Sequence, residues 1–521
     1  MLRDDPMLPS RTPENTGESN SPPEPREQPR WTRVSAFTVV ALGAGAAMLR
    51  FLFLVRKPFW FDESFSVEVA GLPWHDFGRL LWRREANMSL YYLLLRGWLH
   101  FGSSPFFIRS LSVIISLATL PAVYWLASKL FDRRVALIAV ALMSCNAYHI
   151  RYAQEARSYS LFVLLATLSS SFFVVSLREP SRRERWGYIL TSVLAVYAHL
   201  YALLLLAAHW LSLRRTHGRL CSHALRRAWI WIAVATLPLV VFAAKTGAGP
   251  IRWIRRPGFH DLVEFAEHTA GNDGLVLLLL YAAACVMAIM PPEKLRQTFR
   301  ADIGWDVWRH RFLLVWLLFP VALDLVLSLA RPMFLGRYFI FCLPALVILA
   351  AAGLAKLRPV WLSAVALAAM LLLSLQGTFS YYDHDFDLER DASDAATNYV
   401  LDHAEPGDVI LFHIAEARVP YEFFKSIRAN ASSGGAAGPE IVYPRHGERL
   451  DYRDFTGKPS DEFVRSLAGH YSRVWVVLMS NETAGHPDAT TLMLDQVLGN
   501  SFPRVESALF PRVEVRIYSR P

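Results

Sequence analysis

The chain has 521 residues, 53% of them hydrophobic, with 32 Phe, 16 Trp and a formal net charge of +9. Together with a positive mean hydropathy, this is too apolar for one soluble domain and reads as a polytopic α-helical membrane protein. The basic excess does not call for nucleic acid, because arginines gather in short loops between apolar runs, as in Arg178 to Arg185 and Arg214 to Arg219, the pattern of cytoplasmic loops.

Residues 1–33 are rich in Pro, Glu, Ser and Arg, cannot bury a core, and are expected to be a disordered cytoplasmic tail. Val34 to Val55 reads as an uncleaved signal anchor, since further apolar segments follow it. These fall near 105–130, 135–150, 158–177, 188–213, 229–244, 274–290, 312–330, 338–356 and 361–378. The stretch Tyr188 to Leu213 is anomalous. As one helix of about 26 residues it would reach roughly 39 Å, it carries His199 at its middle, and a single crossing would put the two Arg-rich loops on opposite faces. Two half-helices turning at His199 remove the conflict and bring the expectation to about eleven membrane segments. With the tail inside, the stretch at Asp62-Glu63, the Arg151 to Arg157 loop, Arg331 to Arg337 and the C-terminal region then face outward, in a cytoplasmic (inner) membrane.

The cysteines Cys145, Cys221, Cys285 and Cys342 show no metal-like spacing and lie mostly within or beside apolar segments, so neither a disulfide framework nor a zinc site is expected. Residues 34–380 form the transmembrane domain on this reading, and 381–521 a small extracytoplasmic α/β domain. There the β-like runs 408–413, 440–443, 473–478 and 513–518 alternate with helix-like stretches near 390–404, 460–470 and 487–499, which suggests a partly parallel sheet. Asn430 to Pro439 is a Gly/Ala/Ser loop. No phosphate-binding glycine fingerprint occurs, and the triplets opened by Asn87, Asn430 and Asn481 carry little weight.

The pair Asp62-Glu63, in Lys57-Pro-Phe-Trp-Phe-Asp-Glu-Ser64, stands just beyond the first span. An acidic pair among aromatic residues at the membrane edge is a candidate functional site, with a carboxylate available to take a proton from a hydroxyl; a loop-turning Asp without chemistry is the plain alternative. Arg157 and Arg337 lie in outward loops, and each offers paired donors to a phosphate. Arg157 could instead pair with Glu155, and Arg337 could snorkel at the interface. Arg50, Arg56 and Lys57 stand on the outer side against the charge rule, which hints at an anionic ligand. Asp324, inside a span, is expected in a buried pairing.

Taken together, Phe61-Asp-Glu-Ser-Phe-Ser66, Tyr91-Tyr-Leu-Leu-Leu95, Arg151 to Tyr159, Tyr197-Ala-His199 and Gly336-Arg-Tyr338 occur in the order seen in family 39 glycosyltransferases. The chain resembles a bacterial member of that family, in the membrane-embedded GT-C class, and is similar to protein O-mannosyltransferases and lipid A aminoarabinose transferases. It departs from many relatives in carrying Asn87-Met-Ser89 where they have a His-Pro-Pro-like stretch. The resemblance implies transfer of a sugar from a polyprenyl-phosphate carrier to an acceptor hydroxyl of an envelope lipid, glycan or protein, usually with inversion. It implies Asp62 as catalytic base with Glu63 beside it, Arg157, Arg337, Tyr338 and Lys57 toward the donor phosphate, and His199, Gln154, Glu155 and Tyr92 as substrate-positioning groups. Asp62, Glu63 and His199 have the chemistry to build a divalent metal site, but the sequence commits to no metal or other cofactor. A transporter or flippase of carrier-linked lipids is the alternative class; the absence of an internal repeat and the outer-loop position of the strongest motifs speak against it.

Overall fold

A computed structural model of the chain describes residues 33–178, 181–214, 223–247, 254–271, 274–290, 303–384, 390–431, 438–445, 457–479, 482–483 and 486–520. The tail 1–32, the basic loop 215–219, Cys221, most of the Gly/Ala/Ser loop (432–437) and Asn481 lie outside the described residues.

Among the described residues, six helices are long and apolar enough to cross a membrane, or up to eight if each of two bent helix pairs is counted as one span. They include Pro105–Leu130, Tyr159–Arg178, His223–Thr246 and Val360–Asp383. The expectation of about eleven membrane segments is not reached by this count, because several apolar runs are broken into short helices. Arg133–Cys145 meets Ala147–Ala153 at 61°, where Asn146 Oδ1 accepts the His149 N–H at 2.9 Å and so starts a new helix. The hairpin at His199 is present. Arg182–Ala198 ends at His199 and Ala202–Leu213 begins three residues on, and the Tyr188 hydroxyl meets His209 Nδ1 at 3.2 Å. In one straight helix these residues, 21 apart, would stand about 30 Å from each other.

Glycine sets one helix contact. A Cβ on Gly353 would fall 1.8 Å from the Ala284 carbonyl oxygen, so Leu343–Lys356 lies against Leu275–Ile289 at a distance only glycine allows.

The region after the first apolar segment, expected as a loop, is largely helical: Phe61–Gly71, Trp74–Leu80 and Ser89–Trp98, with irregular turns between. The C-terminal region carries a sheet of β1 (Val409–Phe412), β2 (Glu440–Tyr443), β3 (Arg473–Met479), β6 (Arg504–Phe510) and β7 (Val513–Ser519), besides a small pair, β4 (Glu482–Thr483) and β5 (His486–Pro487). Its order is β2-β1-β3-β7-β6. β1 is parallel to β2 and β3, while β7 is antiparallel to β3 and β6. Strand β6 and the helix Arg418–Ala431 add to the elements expected from sequence. Apolar side chains of β1, β3 and β7 form a core against which Phe61 of the helix Phe61–Gly71 also packs.

Candidate active site

Asp62 and Glu63 occupy the first turn of the helix Phe61–Gly71, whose start is set by Trp60 in extended conformation, its carbonyl accepting from the Glu63 and Ser64 N–H groups. Adjacent helical residues diverge by about 100°, so the two carboxylates face different surroundings. Glu63 is fully buried. Its oxygens accept from Arg109 Nε at 2.8 Å and Nη2 at 2.6 Å, and from the Ala156 N–H at 2.9 Å. Arg109 also donates to the carbonyls of Leu54, Lys57 and Pro58. Sequence reasoning missed this arginine, which stands among the apolar residues of a spanning helix.

Asp62 keeps 20% of its side-chain surface, and its Oδ2 lies 3.5 Å from Arg157 Nη2. Arg157 Nη1 donates to the Asp62 carbonyl at 3.3 Å and to Ser66 Oγ at 3.4 Å, and Ser66, one turn on, donates to that same carbonyl at 2.8 Å. Arg157 therefore pairs with Asp62, whereas Glu155 is taken by Arg390 at 2.7 Å and approached by Arg151 at 3.8 Å. Arg157 Nε is buried without a hydrogen-bond partner among the described residues.

Around this pair the fold gathers distant motifs. Tyr92 donates to Glu85 at 3.3 Å, and Glu85 lies in the fields of Arg157 and Asp62; burial pushes its carboxyl up to about 7 against the pull of Arg157. Arg337, half-buried, lies within electrostatic reach of Tyr159, Asp62, Tyr338 and Tyr152. His199 is buried with its ring stacked on Phe162 at 5.0 Å, and 4.9 Å from the Tyr338 ring. Its Nδ1 accepts the Tyr201 N–H at 3.2 Å. Glu85 was not singled out from sequence, and Tyr159 entered only as the last residue of the motif Arg151 to Tyr159.

Other expected residues serve elsewhere. Gln154 donates to the carbonyls of Arg50 and Leu52, fastening the end of the first helix. Lys57 Nζ sits 4.2 Å over the Tyr381 ring. Arg50, read as a hint of an anionic ligand, is fully buried and donates to Ser116, to the carbonyls of Ala46, Ser144 and Met143, and meets His149. Asp324 accepts from Tyr201 at 2.7 Å. Among the described residues no group of three or more His, Cys, Asp and Glu could hold a metal ion, and Glu63 is turned from Asp62 toward Arg109.

The C-terminal region reaches the same place. Asp391 accepts the Phe61 N–H at 3.0 Å, and Phe423 stacks on Phe59 at 4.7 Å. Glu416, half-buried in the turn Ala415–Ala417, feels Asp62 and Asp391; its carboxyl is pushed up to about 7, by burial first and then by those like charges. A partly exposed aspartate, an arginine with spare donor capacity and a shell of tyrosines is an arrangement suited to deprotonating a hydroxyl beside an anionic leaving group.

The likeness to solved structures gives the chain the GT-C fold. The structure matches ArnT from Cupriavidus metallidurans with a TM-score of 0.60 at 12% identity, over 93% of this chain and 98% of that one, and ArnT bound to undecaprenyl phosphate with 0.59 at 12% identity, over 93% and 98%. The Archaeoglobus fulgidus oligosaccharyltransferase in complex with Zn and sulfate matches with 0.51 at 10% identity, over 85% of this chain and 68% of that one. No protein-family model and no curated relative matches the chain.

Proposed function

We propose that the chain is a membrane glycosyltransferase that moves a sugar from a polyprenyl-phosphate carrier to an acceptor hydroxyl, on the outer side of the cytoplasmic membrane. The observation that carries this reading is the Asp62–Arg157 pair, the carboxylate partly open and the arginine within 3.5 Å of it. Asp62 accepts the acceptor's proton as its oxygen attacks the anomeric carbon from the face opposite the carrier, giving inversion. Arg157 and Arg337 take the charge that grows on the departing phosphate, with Tyr338 beside them. Glu63 acts by holding the turn that presents Asp62 rather than by touching substrate, and His199 packs behind Tyr338. The likeness to an ArnT bound to undecaprenyl phosphate supports the carrier class.

The test is turnover of a radiolabelled polyprenyl-phosphate sugar by purified protein. Asp62→Asn keeps the shape and removes the base, so transfer should fall on the order of 10²- to 10⁴-fold. Transfer at the wild-type rate in Asp62→Asn would remove Asp62 from the chemistry.

A further inference from the structure

The C-terminal α/β region begins with two charged residues that leave their own domain and tie the outer turn. Asp391 Oδ2 accepts the N–H of Phe61, the first residue of the helix that carries Asp62, at 3.0 Å, and Ser393 holds the other oxygen of that carboxylate. Arg390 Nη2 donates to Glu155 at 2.7 Å, Nη1 reaches the Pro58 carbonyl at 3.5 Å, and the same nitrogen lies 3.9 Å from Glu63 Oε2. Its guanidinium also faces the Trp60 ring at 5.6 Å. Both residues are buried, Arg390 at 8% and Asp391 at 4%, so the bonds are shielded from water. Phe59 on Phe423 and Phe61 against the core of the sheet close the same junction with apolar surface.

A first-turn amide at a helix start has no partner within its own helix, and a carboxylate there both satisfies it and suits the helix dipole. Here that carboxylate comes from 330 positions away. The segment Pro58 to Phe61 is thus gripped from both sides, by Arg109 of a spanning helix at Pro58 and by Arg390 and Asp391 of the C-terminal region. From this we infer that Arg390 and Asp391 are positioning residues for Asp62: the C-terminal region fixes the turn from which the carboxylate projects, and is a working part of the catalytic centre. The inference rests on the reading of Asp62 as base, but its first consequence concerns only the turn.

That consequence is read by hydrogen exchange on the full chain in detergent, in peptides covering residues 58–67. In Asp391→Ala, exchange of these amides should quicken about tenfold, the worth of one hydrogen bond to a charged group, with the peptides of Pro105–Leu130 and Tyr159–Arg178 unchanged. Asp391→Asn, which keeps a carbonyl acceptor for the Phe61 N–H, should restore most of the protection. Arg390→Lys should lie between wild type and Arg390→Ala. Binding of undecaprenyl phosphate should be unaltered in the Asp391 variants, while turnover of the labelled sugar donor falls through kcat with KM unchanged. Wild-type exchange over 58–67 in Asp391→Ala overturns the inference, as does a loosened turn that leaves kcat untouched. A wild-type protein with no turnover would fail the assignment of function, and the exchange result would still decide whether the turn is held from the C-terminal region.

Discussion

Glu63→Gln separates the two members of the acidic pair. In the folded protein the Glu63 carboxylate is out of solvent and meets Arg109, itself 1% exposed, through two charge-assisted bonds of 2.8 and 2.6 Å, and the Ala156 N–H at 2.9 Å. Glutamine offers one oxygen and one NH2 group in that space. Whichever way the amide turns, a donor faces a donor and the arginine's charge loses its counterion. Breaking a buried pair from one side costs about 3–5 kcal/mol. For a chain of this size that is a fall of about 3–5 °C in apparent Tm at a fixed scan rate. Asp62→Asn loses a longer contact of 3.5 Å and keeps an amide oxygen toward Arg157, so it should cost less than Glu63→Gln. The assay is unfolding of the detergent-solubilised protein followed by tryptophan fluorescence, in parallel with transfer measurements. Glu63→Gln should be markedly less stable, with turnover surviving at low temperature; Asp62→Asn should be nearly as stable as wild type and inactive. A Glu63→Gln protein with unchanged Tm and no turnover at any temperature would refute the structural role and return Glu63 to the chemistry.

Arg157→Lys should weaken undecaprenyl phosphate binding by about tenfold and Arg157→Ala by more, because a single ammonium cannot serve Asp62, Ser66 and a phosphate together; the same order is expected at Arg337, with Tyr338→Phe a smaller loss. Equal binding by Arg157→Ala and wild type would move the phosphate elsewhere. For Glu416 the folded carboxyl sits at about 7 against an ordinary 4.5, so the folded state holds its proton more tightly than the unfolded chain. Stability from this group therefore falls as pH rises between the two values and stays reduced above about 7. Glu416→Gln should raise Tm relative to wild type at pH 8 and much less at pH 5, and a difference independent of pH would contradict the assignment. Cysteines placed beside Asp62, at the His199 turn and in the C-terminal region should react with a membrane-impermeant thiol reagent from outside, whereas labels near Arg183 and Arg215 should not; outside reaction near Arg215 would undo the sidedness of every later segment.

What could be read from the sequence was local. The hairpin at His199 followed from the length of one apolar run and the charge at both ends, and the parallel part of the C-terminal sheet from β-like runs alternating with helix-like stretches. What could not be read was made of contacts between residues far apart in the chain. Nothing in the neighbourhood of Arg109 marks it as the counterion of Glu63, 46 positions earlier, nor does the polar stretch at Arg390 reveal a grip on Phe61. The misreading of Arg50 has the same origin. Charge sidedness treats an arginine near a helix end as surface, yet here the fold supplies the buried guanidinium with carbonyls, a hydroxyl and an imidazole.

Arg50, Arg109 and Arg157 differ in how fully their donors are used, and Arg157 is distinguished further by its place beside Asp62. Withdrawing a guanidinium from water costs less the more fully its demand for acceptors at each nitrogen is met. Arg50 and Arg109 meet that demand at Nε, Nη1 and Nη2, so both are scaffold, and a phosphate could engage them only by displacing protein partners. Arg157 does not meet it. Its Nη1 contacts are at 3.3 and 3.4 Å, its Nη2 stands 3.5 Å from Asp62, and its Nε has no partner among the described residues. A buried charge in that condition is costly unless a ligand completes its shell, and Asp62, its nearest carboxylate, still has surface open to an incoming hydroxyl. On the proposed reading, an incompletely bonded arginine beside a partly open carboxylate would supply the two opposite requirements of glycosyl transfer, a sink for leaving-group charge and a base for the nucleophile.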